Sequence, residues 1–166
     1  MPPRVVLVGP PGSGKTTVGE LLAERMETTF DDTDRQVESA AGVTISEIFI
    51  EQGEEHFRAL ERDAVATALR ECQGVLALGG GAILDERTRE LLRGQVVVYL
   101  DIELADATKR VGMNRDRPLL LGNPRAQLHA LLQARRPFYE EVATHTISTS
   151  GKEPAEVVSE IVAELT

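Results

Sequence analysis

The sequence contains one cysteine, no tryptophan and only 4% aromatic residues in a length of 166. A lone Cys72 excludes an intrachain disulfide and suits a reducing compartment, so a cytoplasmic location is expected. No apolar run approaches the ~20 residues needed to cross a bilayer, and the opening "MPPRVVLVGP" is too short an apolar stretch for a secretory signal. No membrane partner is expected. Positive charge is also scarce. There are 18 Lys and Arg against 27 Asp and Glu, a formal net charge of -9. That argues against a nucleic-acid surface and leaves room for a local basic site. There is no repeat, low-complexity tract or zinc-like ligand cluster. What is left is an ordinary composition, 42% hydrophobic and 27% charged, at a length that suits one domain with one core.

Apolar periodicity organises the chain. "RVVLV" at 4–8 and "VVVYL" at 96–100 are short continuous apolar runs, the pattern of buried parallel strands. "TTF" at 28–30, "VLAL" at 75–78 and "HTIS" at 145–148 read as three further strands. Helices are expected from Lys15 to just before Thr28, from Thr44 through Phe49, along the stripe from Phe57 to Leu69, over 85–92, 103–110 and 125–135, and from Pro154 to the end. Thr44 and Glu47 have capping-box spacing, and Pro154 suits a first helical turn. Strands alternating with helices predict a three-layer α/β fold around a mostly parallel sheet of about five strands. The carboxyl ends of such strands are where ligands bind.

At the first of those ends stands "GPPGSGKT". Gly9, Gly14, Lys15 and Thr16 complete G-x-x-x-x-G-K-T between a buried strand and an amphipathic helix. Glycines there let backbone amides turn inward around phosphate oxygens, and the helix N-terminus adds its own N–H groups. Lys15 can reach the outer phosphates and Thr16 can offer a hydroxyl to Mg²⁺. ATP is favoured over GTP because no "NKxD" follows any strand. Residues 109–136 hold seven cations and one acid, Asp116. A basic island in so acidic a chain calls for an anionic ligand. Arg117, inside "GMNRDRPLLLGNP", falls in a glycine-punctuated stretch that reads as a lid over 112–124.

Three carboxylates crowd "DDTDR" at 31–35. In an extended chain Asp32 and Asp34 point the same way, one toward Mg²⁺ and one toward an acceptor hydroxyl, while Asp31 points away toward solvent. The other reading is a loop-capping cluster. Arg58 and Glu61 lie one turn apart on a helix, either as an ordinary surface pair or as an arginine steadied toward a carboxylate ligand. Gly79, Gly80 and Gly81 at a strand end suggest close approach of another group.

In this order the motifs "GPPGSGKT", "DTD" at 32–34, "GExxFRxxE" at 53–61, "GGG" at 79–81, "RPLL" at 117–120 and "RxPxY" at 135–139 resemble the shikimate kinase family over nearly the whole chain. The resemblance implies a P-loop fold with sheet order 2-3-1-4-5 and a substrate-binding segment at 33–61; a monomer is expected. It implies transfer of the ATP γ-phosphoryl group to the 3-hydroxyl of shikimate. By the same resemblance Lys15, Asp34 and Arg117 carry the chemistry. Asp34, Arg58, Gly79, Gly80, Gly81 and Arg135 bind shikimate, with Arg136 an alternative to Arg135 in "ARRPFYEE". Gly12, Ser13, Gly14, Lys15, Thr16, Thr17, Arg110, Arg117, Lys152 and Pro154 bind nucleotide, and Thr16 and Asp32 hold the metal side. Gluconate kinase, a nucleoside monophosphate kinase and a non-catalytic ATP-binding regulatory module are the competing readings.

Overall fold

The structure is a computed structural model and describes residues 3–111 and 124–166. Its centre is a five-stranded parallel sheet of order β2-β3-β1-β4-β5: β1 Val5–Val8, β2 Phe30–Asp32, β3 Val75–Ala77, β4 Val97–Asp101 and β5 His145–Ser148. This is the order the family resemblance implied. Every residue of β1 is buried, which is why that segment is uniformly apolar rather than alternating.

The two faces of β1 separate the core into halves. Val5 and Leu7 pack with Val18, Leu22 and Ala23 of α1 (Lys15–Arg25) and with Val157, Val158 and Ile161 of α8 (Pro154–Leu165). Val6 and Val8 face Val65, Ala68 and Leu69 of α4 (Glu54–Glu71) and Tyr139 of α7 (Pro124–Val142). Removing the side chain of Leu7, which is 0% exposed, would leave a cavity costing about 2–5 kcal/mol. Helices α2 (Thr33–Ala41) and α3 (Ile45–Gln52) form a smaller cluster beside α4 around Val37, Ile45, Ile48 and Phe57. A short 3₁₀ turn (Ala82–Leu84), α5 (Glu86–Leu91) and α6 (Leu104–Val111) complete the described elements. Among the described residues no helix is long and apolar enough to cross a membrane.

Several boundaries differ from the sequence reading. The second strand is Phe30–Asp32, two residues later than "TTF", because its ladder partner fixes the register Phe30↔Val75, Asp31↔Leu76, Asp32↔Ala77. Helix α2 was not anticipated. Its described apolar burial is one residue, Val37, too little to show as a stripe. Helix α7 continues past 135 through Pro137 to Val142. Thr44 caps α3 by accepting the Glu47 N–H at 3.1 Å, while a reciprocal capping box forms at Glu153 and Glu156, ahead of Pro154 in the first turn of α8. Residues 112–123, most of the expected lid, lie outside the described residues, and Arg117 with them.

Candidate active site

The phosphate loop joins β1 to α1. Gly12 (φ 83) and Gly14 (φ 90) adopt left-handed backbone that a side chain would strain, and Gly14 is the N-cap of α1. The loop is drawn around the Lys15 ammonium, which donates to the carbonyls of Gly9 at 2.7 Å and Pro10 at 3.1 Å. Ser13 is buried, and among the described residues its Oγ has no hydrogen-bond partner. Thr17 is exposed in the first turn of α1.

Thr16 Oγ1 donates to Asp32 Oδ2 at 3.2 Å, across from the end of β2. The other oxygen of Asp32 accepts the Asp34 N–H at 2.8 Å and caps α2. The expected extended Asp32–Asp34 pair is therefore wrong in its geometry. The chain turns helical at Thr33, and Asp34 belongs to the first turn of α2. Burial first, and the neighbouring Asp34 charge second, push the Asp32 carboxyl above its ordinary value. A cation beside it would relieve both effects. Hydroxyl and carboxylate oxygens are the hard donors that Mg²⁺ prefers, and Mg²⁺ commonly takes only one or two carboxylates with phosphates and water. The residues present fit that ion. Asp31 is not solvent-facing as expected. It is half-buried and accepts the Cys72 S–H at 3.0 Å, and burial together with that carboxylate pushes the thiol up to about 11.

The three glycines after β3 form a floor, and each carries a different functional side chain. A Cβ on Gly79 would lie 2.6 Å from Asp34 Oδ1 and 2.8 Å from Glu61 Oε2. On Gly80 it would meet Pro11 of the phosphate loop at 3.2 Å and Arg135 Nη1 at 3.4 Å. On Gly81 it would run into the Arg58 guanidinium. Arg58 is oriented by α4 itself, donating to Glu61 Oε1 at 2.8 Å and to Glu54 Oε2 at 3.2 Å. Glu61 is 3% exposed, so its charge is compensated in the interior by that pair.

Of the adjacent arginines, Arg135 is 6% exposed and turns in toward Gly80, whereas the side chain of Arg136 is 40% exposed and donates to Asp101 Oδ2 at 3.4 Å. The reason is an anchor one turn away. The Tyr139 hydroxyl donates to the Gly80 carbonyl at 2.6 Å.

Lys152 follows β5 in a loop pinned to β4 through the Thr149 N–H and hydroxyl, both donating to the Asp101 carbonyl at 2.8 and 3.1 Å. Its ammonium pairs with Glu160 at 2.8 Å, and Pro154 opens α8 alongside. Arg110 is in α6. Thr33 was passed over in the sequence reading. It is 0% exposed, and its Oγ1 accepts the Gly79 N–H at 3.0 Å, tying the start of α2 to the glycine floor. Its position between two aspartates at a strand end was the available signal.

A family model described as shikimate kinase matches residues 11–166. The chain belongs to the shikimate kinase family. Over 99% of its length and 99% of the relative's, it is 59% identical to a shikimate kinase of Salinispora arenicola. A solved shikimate kinase of Acinetobacter baumannii, in complex with shikimate, superposes with a TM-score of 0.95 at 38% identity, covering 99% of this chain and 93% of that one. A gluconokinase of Sinorhizobium meliloti, with a TM-score of 0.59, 21% identity and coverage of 99% and 91%, shares the fold alone. Family membership makes this chain an ATP-dependent small-molecule kinase.

Proposed function

We propose that the enzyme transfers the γ-phosphoryl group of ATP to the 3-hydroxyl of shikimate, giving shikimate 3-phosphate and ADP. The observation that carries this reading is the glycine floor. It gathers two arginines and an aspartate, the groups that a hydroxylated carboxylic acid needs, beside Pro11 of the phosphate loop. Arg58 and Arg135 suit a planar carboxylate, which a guanidinium can grip through two parallel hydrogen bonds. Asp34 orients the attacking hydroxyl and accepts its proton as the new O–P bond forms. The bond from the γ-phosphorus to the bridging oxygen breaks and leaves ADP, whose phosphates the loop amides and Lys15 hold. Arg117 is assigned the transferring group from the sequence alone. Thr16 and Asp32 would hold Mg²⁺, which supplies neutralisation of phosphate charge. Arg110, Lys152 and Pro154 would frame the adenine. We read the enzyme as a cytoplasmic monomer that acts on small molecules, with no nucleic-acid or membrane partner.

The test is ADP release measured with shikimate, gluconate and AMP as alternative acceptors. Strong dependence on shikimate is expected. Turnover of gluconate or AMP with none on shikimate would overturn the assignment, and ATP binding without turnover of any acceptor would favour the regulatory module.

A further inference from the structure

Arg62 and Asp85 have no role in the reading above. Arg62 follows Glu61 on α4, four residues beyond Arg58, and its Nε donates to Asp85 Oδ2 at 2.6 Å. Asp85 stands four residues beyond Gly81, at the end of the 3₁₀ turn, and its other oxygen caps α5 by accepting the Thr88 N–H at 3.1 Å. The pair thus joins the helix that bears Arg58 and Glu61 to the segment that begins with the glycine floor. Arg58, Glu61, Gly81, Arg62 and Asp85 line one cavity of about 270 Å³. Its wall holds two of the groups assigned to the acceptor, Arg58 and Gly81, and the Arg62–Asp85 pair lines the same enclosure.

A half-exposed pair of this kind adds little to global stability; the side chains here are 43% and 25% exposed. Its effect is local. Asp85 is also well ionised at neutral pH. Partial burial pushes its carboxyl up, but the Arg62 hydrogen bond and the amides of Thr88 and Arg87 outweigh that and hold it below its ordinary value.

We propose that the Arg62–Asp85 pair is a positioning strap that sets the spacing between Arg58 and the Gly79–Gly81 floor, and thereby the affinity for the acceptor carboxylate. Neither residue touches the acceptor. They act through Arg58, whose guanidinium lies against Gly81. Because a misplaced guanidinium fork loses hydrogen bonds to a planar ligand, small shifts in α4 show as weaker binding. The proposal rests on shikimate as the acceptor.

A strap and a simple field effect differ in sign. If only the local field mattered, removing the cation in Arg62→Gln would weaken binding of an anionic acceptor, and removing the anion in Asp85→Asn would strengthen it. A strap weakens binding in both. Asparagine still caps α5 in Asp85→Asn, so loss of the helix end is not the cause. The experiment is steady-state kinetics with ATP and shikimate varied independently, alongside thermal melting. It compares the unaltered enzyme, Arg62→Gln, Asp85→Asn, the double variant and Arg62→Lys. Glu20→Gln, which removes the exposed partner of Arg35, serves as the control.

The expected result is a roughly three- to tenfold rise in the shikimate KM of each single variant, with kcat, the ATP KM and Tm nearly unchanged. The double variant should be no worse than the poorer single, because the two residues form one interaction. Arg62→Lys should restore part of the affinity, and Glu20→Gln should match the unaltered enzyme. The proposal is overturned by a lower shikimate KM in Asp85→Asn, by equal rises in both KM values, by a large fall in Tm, by additive effects, or by no change. An unaltered enzyme that does not turn over shikimate overturns the acceptor reading and the strap with it. Turnover with unresponsive variants overturns the strap alone.

Discussion

Tyr139 and Gly80, 59 residues apart in the chain, are joined by a hydrogen bond of 2.6 Å from hydroxyl to carbonyl. The bond fixes the rotation of α7. Arg135 lies one turn before Tyr139, so the same rotation places its guanidinium over Gly80. The Tyr139 ring is also held against Tyr99 with ring centroids 5.0 Å apart, and the Tyr99 hydroxyl donates to Asp101. Asp101 in turn accepts from Arg136.

This separates the two neighbouring arginines. Arg135→Ala should weaken shikimate binding by roughly 2–5 kcal/mol, the range for losing one partner of a buried charged pair. Arg136→Ala should do much less, because its guanidinium faces Asp101 and solvent. Shikimate titration of both variants decides the matter, and a larger loss in Arg136→Ala would reverse the assignment.

Asp34→Asn should bind ATP as before, since the phosphate loop is untouched. Its kcat should fall by a factor on the order of 10²–10⁴ if Asp34 takes the proton from the attacking hydroxyl. Near-normal kcat at saturating shikimate would remove Asp34 from both proton transfer and orientation.

Gly79→Ala would introduce a methyl carbon 2.6 Å from Asp34 Oδ1 and 2.8 Å from Glu61 Oε2. Neither contact can be sustained, and both carboxylate oxygens are buried. Overpacking of this kind costs about 1–3 kcal/mol, and here it displaces Asp34, proposed to orient the acceptor hydroxyl, and Glu61, the partner of Arg58. A lower Tm and a kcat/KM for shikimate reduced by roughly tenfold or more are expected, with nucleotide affinity retained. An unaltered kcat/KM would show that Asp34 does not need its seat on the glycine backbone.

Asp32 should trade stability for function. Its folded pKa is raised, chiefly by burial and then by Asp34. A carboxyl shifted in that direction contributes stability below its unfolded pKa and loses it as pH rises through the folded value. At neutral pH the ionised group therefore costs stability in the ligand-free enzyme. Asp32→Asn keeps a good cap for α2 and removes that charge. Its Tm should exceed that of the unaltered enzyme at pH 7, with the gain shrinking as pH falls through the carboxylate range, while Mg²⁺-dependent turnover is lost. A lower Tm at pH 7 would contradict this account.

The amino-acid order by itself determined the phosphate loop, the buried strands β1 and β4, and the closing helix, because each is a contiguous signal. Four apolar residues before a glycine turn, or apolar positions at helical spacing from Val157 to Leu165, carry their meaning locally. The motif order also named the shikimate kinase family before any contact was known. Only the tertiary structure decided where the aspartates point. A strand as short as β2 has its register set by β3 alone. Asp32 satisfies the Asp34 N–H and starts a helix where period-two alternation predicted extended chain. Asp31 finds Cys72, 41 residues later, instead of solvent. The choice between Arg135 and Arg136 likewise has no local signal, since two adjacent arginines have the same chemistry. It is made by Tyr139 reaching Gly80 across the fold, because the rotation of a long helix is set by the groups it packs against.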